Sequence, residues 1–90
     1  MGCNRKRQVD LIHSYRRDYR RCLLLSSSRK AVSRALFQRE LHLDYQRALH
    51  FIDLMTSRGY IEPGEDNALR RVKFSAADLD RIFEEHNLES

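Results

Sequence analysis

The sequence predicts a mainly α domain with a small β wing: a winged helix-turn-helix plus an extra C-terminal helix. Three observations carry the prediction. Apolar residues recur at steps of three and four in four separate stretches, the spacing of one buried helix face. The second and third stretches are separated by His42-Leu43-Asp44 alone, which leaves room for a tight turn between two helices. Between the third and fourth, two β-forming runs flank Pro63-Gly64-Glu65-Asp66-Asn67, a cluster of turn formers.

The elements follow in order. From Gln8 to about Leu25, Val9, Ile12, Tyr15, Tyr19, Cys22 and Leu23 share a face, with Arg17 and Arg21 opposite it and Arg16 and Arg20 at its edge. Ser26 to Ser28 break this helix, because their hydroxyls compete for backbone hydrogen bonds. Arg29 to Val32 reads either as a short edge strand before a helix capped by Ser33, or as the start of a helix opening at Ser28. Ala35, Leu36, Phe37 and Leu41 give the second helix its apolar side, ending near His42. Leu43 is the expected buried turn residue, and Asp44 stands where a carboxylate accepts from the free amides of the next turn.

The third helix is expected from Tyr45 to about Arg58, with Tyr45, Ala48, Leu49, Ile52 and Met55 facing the core. Gln46, His50, Asp53 and Ser57 fall on another face, and Phe51 and Leu54 extend the apolar surface past the core stripe. Gly59 stops the helix. Tyr60-Ile61-Glu62 and Leu69 to Phe74 are the two strands of the wing. Ser75-Ala76-Ala77-Asp78 has the form of a capping box, opening a last helix to about Asn87 with Leu79, Ile82, Phe83 and His86 on one side. The chain therefore divides into a basic tail over 1–7, a winged-helix unit over 8–74 and an amphipathic helix over 75–90.

Ninety residues build one small core and leave little room for an enzyme cleft. The net charge of +4 is unevenly spread. Met1 to Arg58 hold 13 Lys and Arg against 5 Asp and Glu, whereas Gly59 to Ser90 hold 4 against 8. A basic amino-terminal two-thirds is the footprint of a polyanion binder, and the acidic end suits solvent or a protein. Cys3 and Cys22 lack metal-ligand spacing and read as reduced thiols. His13, His42, His50 and His86 form no HxxxH or HExxH arrangement, so neither a metal nor a cofactor is expected. No phosphate loop, nucleophile elbow or paired carboxylates indicate catalysis. No apolar run reaches membrane length, Lys6 stands where myristoylation wants Ser or Thr, and Asn4 to Arg7 lead into no signal core. The expected place is cytoplasmic and nucleoid-associated.

A helix that enters the major groove needs an outward polar face reaching base edges, flanked by phosphate donors. Gln46 can pair with adenine, Arg47 can take phosphate or guanine, and His50 and Asp53 can donate or accept along the same face. Arg39 at the end of the second helix, and Arg70, Arg71 and Lys73 in the wing, are the backbone candidates; two of the three wing cations should alternate onto one face. The same features also suit a solvated helix face and a charged edge strand. The tail from Asn4 to Arg7 suits a flexible arm.

Within Gln38 to Val72, the run Leu43-Asp44-Tyr45-Gln46-Arg47-Ala48 and the residues Ile52, Met55 and Gly59 resemble the recognition-helix motif of the C-terminal γ domain of the FtsK family of DNA translocases. The resemblance covers roughly Val32 to Val72. It implies a winged helix that reads short DNA motifs and contacts a tyrosine recombinase. The family's Asn, Arg and acidic reading positions fall on Gln46, His50 and Asp53, which implies DNA binding with a different target. The family's Gly before Tyr is Asp44 here, and the sequence contains no P-loop motor.

The expected function is therefore sequence-specific double-stranded DNA binding by a small bacterial or mobile-element regulator of transcription or DNA maintenance. Two alternatives stand beside it: a γ-like accessory that marks DNA for a translocase or recombinase, and a protein-interaction module using Phe51, Leu54 and the acidic last helix. The Leu79, Ile82 and Phe83 stripe must be buried either on its own core or in a symmetric homodimer, and the short site of a lone winged helix favours the dimer.

Overall fold

The computed structural model describes residues 3–88, with side chains from residue 12 onward. Helix α1 (Cys3–Ser27) is followed by β1 (Ala31–Val32), α2 (Arg34–Leu41), α3 (Tyr45–Ser57), β2 (Arg70–Arg71), a 3₁₀ turn (Ala76–Asp78) and α4 (Leu79–Glu85). The architecture is mainly α with a small antiparallel wing, as the periodicities require.

Helix α1 is longer than its apolar spacing indicates at both ends. The segment expected as a basic tail has helical backbone from Cys3. At the other end Ser26 and Ser27 stay helical because each hydroxyl turns back on the preceding turn: Ser26 donates to the Cys22 carbonyl and Ser27 to the Leu24 carbonyl, both at 2.7 Å. Ser28 does the same to Leu25 at 2.8 Å, and the helix ends there with its last carbonyls satisfied.

Of the two readings of Arg29 to Val32, the strand is the one formed. Ala31 pairs with Arg71 and Val32 with Arg70, and the Val72 amide donates to the Lys30 carbonyl at 2.9 Å. Ser33 caps α2 through a bond from the Leu36 amide, and Asp44 caps α3 through a 2.7 Å bond from the Arg47 amide. Between them His42 takes a left-handed φ of 55° and Leu43 is buried, so the chain reverses in three residues.

The wing pairs more briefly than expected. Tyr60 to Glu62 form a bridge from Ile61 to Val72, flanked by bonds from the Glu62 amide to the Arg71 carbonyl and from the Lys73 amide to the Tyr60 carbonyl. Pro63 cannot prolong this ladder because it has no amide hydrogen. Gly64 lets the chain pass close to Arg70, whose Cγ lies 3.2 Å from where a Cβ would stand.

The core joins Phe37 of α2, Phe51, Ile52 and Met55 of α3, Leu23 of α1, Ile61 of the wing and Ile82 of α4. Two residues of α3 depart from the expected stripe. Phe51 is 0% exposed, stacked on Tyr19 of α1 with ring centroids 5.2 Å apart, whereas Tyr45 is 45% exposed beneath the Arg34 guanidinium. Packing of α1 on this side turns the buried arc of α3 towards Phe51. The interaction surface expected at Phe51 and Leu54 therefore loses its aromatic anchor to the interior, and Leu54 is half-buried.

Helix α4 folds back on the same core. Leu79, Ile82 and Phe83 are all buried within the chain, Phe83 lies 5.0 Å from the Arg20 guanidinium, and His86 meets the Tyr19 ring edge-on. The symmetric dimer expected through this stripe has no free apolar face on α4 to use. The Ser75 amide donates to the Asp78 carboxylate at 2.9 Å, closing the capping box and holding that carboxyl below its ordinary range.

Candidate nucleic-acid interface

The outward face of α3 is the row the spacing predicts. Gln46, His50, Asp53 and Ser57 are all exposed, and each is one turn from the next. Asp44 joins them at the amino end. The row therefore offers an amide, an imidazole and two carboxylates, a set suited to hydrogen bonding with base edges and poorly suited to attracting phosphate.

Arg47 is not part of that row. Its guanidinium turns to α1, donating to the Asp18 carboxylate at 2.9 Å and to the Ser14 hydroxyl at 3.1 Å. Asp18 is 4% exposed and also has Arg21 at 3.4 Å and Arg17 at 3.6 Å. Arg47, expected to take phosphate or guanine, is thus committed to α1 in this structure, and releasing it leaves a buried carboxylate short of its principal partner.

Arg70, expected at the DNA backbone, likewise turns inward. It is 6% exposed, and it donates to the Thr56 hydroxyl at 3.1 Å and the Asp66 carbonyl at 3.3 Å, tying the wing to the end of α3. Arg71 and Lys73, with the opposite parity on the strand, are both exposed. This is the expected two-and-one alternation, with Arg70 as the inward member. Arg39 is exposed at the last turn of α2, its Nε 3.7 Å from Glu40. The outward cations at hand are thus Arg39, Arg71 and Lys73, together with Arg58 at the end of α3.

Sequence reasoning missed the contribution of α1. Ser14, Tyr15 and Asp18 lie on one face of that helix at steps of three and four, and all three reach α3. Tyr15 Oη is 2.5 Å from His50 Nε2, and Tyr15, Asp44, Gln46, Arg47 and His50 line an open recess of about 340 Å³. A signal existed in the polar Ser14 and Asp18 flanking an otherwise apolar stripe, but their partners are about thirty residues away.

A second groove of about 520 Å³ runs between α1, α3 and the end of α4, with Ile12, Tyr15, Leu54 and Leu88 among its walls and Arg16 and Arg58 at its rim. Cys22 is fully buried, and burial pushes its thiol well above the usual range. Among the described residues no three His, Cys, Asp or Glu side chains converge to hold a metal ion. No described helix is long and apolar enough to cross a membrane. No protein-family model, curated protein or solved structure matches the chain.

Proposed function

We propose that this protein binds duplex DNA sequence-specifically, with the exposed face of α3 in the major groove and the wing along the sugar-phosphate backbone. The observation that carries the reading is the position of the row Gln46, His50, Asp53 and Ser57. It is the outward face of the second helix of a helix-turn-helix, and the wing beside it turns Arg71 and Lys73 outward. The division of labour follows from charge. Carboxylates on the row favour selection over blanket affinity, and Arg71 and Lys73 of the wing, with Arg39 and Arg58, supply phosphate neutralisation.

The resemblance of Gln38 to Val72 to the FtsK γ domain supports the same reading, with Gln46, His50 and Asp53 in the three reading positions. Because two of those three differ in chemistry, the proposed target differs from that family's. The proposed role is a cytoplasmic, nucleoid-associated regulator of transcription or DNA maintenance, or a γ-like accessory that marks DNA for a translocase or recombinase. Since the apolar stripe of α4 is consumed within the chain, one copy on a non-palindromic site is the expected complex.

Selection of bound duplexes from a random pool tests the reading. An enriched motif that weakens on Gln46→Ala supports it, and a pool that stays random overturns it.

A further inference from the structure

We propose that Tyr15 fixes the tautomer of His50 and thereby decides which base edges α3 accepts at that position. The proposal rests on the reading of α3 as the helix that contacts bases.

The two residues are held as a unit. Tyr15 Oη lies 2.5 Å from His50 Nε2 although the residues are 35 apart in sequence. Both rings rest on one buried side chain, with Tyr15 and His50 centroids 5.1 and 5.5 Å from the Phe51 ring. Phe51 is itself stacked on Tyr19, so the surface on which both rings rest is part of the core.

The chemistry of the pair gives the contact a direction. A phenol is the stronger acid and a neutral imidazole the stronger base, so the Tyr15 hydroxyl donates and Nε2 accepts. Burial raises the Tyr15 pKa above its ordinary value, against the pull of Arg47, and the phenol keeps its proton. With Nε2 occupied as an acceptor, the neutral ring carries its own proton on Nδ1.

His50 thus presents a donor and no acceptor to anything in the recess it shares with Gln46 and Tyr15. Purine N7, guanine O6 and thymine O4 can accept from it, whereas the cytosine amino group finds no lone pair. Tyr15 is in this sense a positioning residue for specificity, acting through His50 without reading a base itself.

The first test uses the full chain without DNA, at about pH 8. Nitrogen-15 correlations of His50 should show the Nδ1–H form in the wild type and a shift towards Nε2–H in Tyr15→Phe, which keeps the ring packing and removes only the hydroxyl. A wild-type His50 protonated on Nε2 overturns the proposal whatever the protein binds. The second test selects duplexes with the wild type, Tyr15→Phe and His50→Ala. Discrimination against cytosine at one position should fall about tenfold in Tyr15→Phe, with thermal midpoint and salt slope unchanged. If His50→Ala erases that discrimination while Tyr15→Phe leaves it intact, the positioning role is wrong and the reading of α3 stands. If the wild type selects nothing, the reading of α3 fails, and the tautomer measurement still decides the Tyr15–His50 half.

Discussion

The Asp18 carboxylate and the Arg47 guanidinium meet at 2.9 Å across the contact between α1 and α3, with the acid almost wholly buried. The pair removes a cation from the candidate reading face and uses it to dock two helices. Asp18→Asn should therefore have two opposite effects. Thermal or denaturant unfolding should show a loss of about 1–3 kcal/mol, because a charged hydrogen bond and its neighbours are weakened. A salt titration of DNA binding should show a slope steeper by about 1, as the released guanidinium finds a phosphate. A variant with unchanged stability and slope means that the pair does not hold Arg47.

Adjacent wing residues should separate cleanly. Arg71→Ala should weaken binding to all sequences alike and reduce the salt slope by about 1, leaving stability within about 0.5 kcal/mol. Arg70→Ala should leave the slope alone and cost about 1–3 kcal/mol of stability, since Thr56 and the Asp66 carbonyl lose their donor. Binding isotherms and melts on the two variants check this, and an exchange of phenotypes contradicts the assignment.

How much of this was legible in the sequence depended on range. The Asp44 cap, the Ser33 cap and the Ser75–Asp78 box are set within three or four residues and could be read directly. The alternation of Arg70, Arg71 and Lys73 was legible as parity, but which parity faced inward depended on Thr56, fourteen residues from Arg70. The spacing of α3 permitted either Tyr45 or Phe51 as its buried ring. The choice is made by Tyr19, on a helix whose approach no local pattern encodes. The pairing of Arg47 with Asp18 was hidden for the same reason.

Phe51 provides the test of that correction. Phe51→Ala should destabilise the fold by about 3–5 kcal/mol, as expected for an emptied core site and far more than for an exposed docking residue. Leu54→Ala should cost less, since Leu54 is half-buried. Equilibrium denaturation compares them, and a mild Phe51→Ala variant contradicts the stacking on Tyr19.

His86 should give stability a pH dependence. Its Nε2 lies 2.9 Å from Tyr60 Oη, and burial followed by the nearby Arg58 charge lowers its pKa from the ordinary 6.5. A depressed histidine takes up a proton more readily in the unfolded chain than in the folded one. The stabilisation is therefore fully present above pH 6.5 and is lost as pH falls towards the folded-state value. Melts from about pH 8 down to about pH 5.5 should show a decline that is flattened in His86→Gln. A decline of the same size in the variant assigns it to other groups.

The central claim is that the exposed row of α3 reads duplex sequence. It is tested most directly by taking the duplex most enriched from a random pool and measuring its affinity against a scrambled duplex, for the wild type and for Gln46→Ala, across a salt series. The enriched site should be preferred, by a margin that falls by about 1–3 kcal/mol in the variant. Both duplexes should share a log–log salt slope of roughly −3 to −4, matching the outward cations left once Arg47 and Arg70 are committed internally. Equal affinity for both duplexes, or a slope near zero, rules out reading by α3.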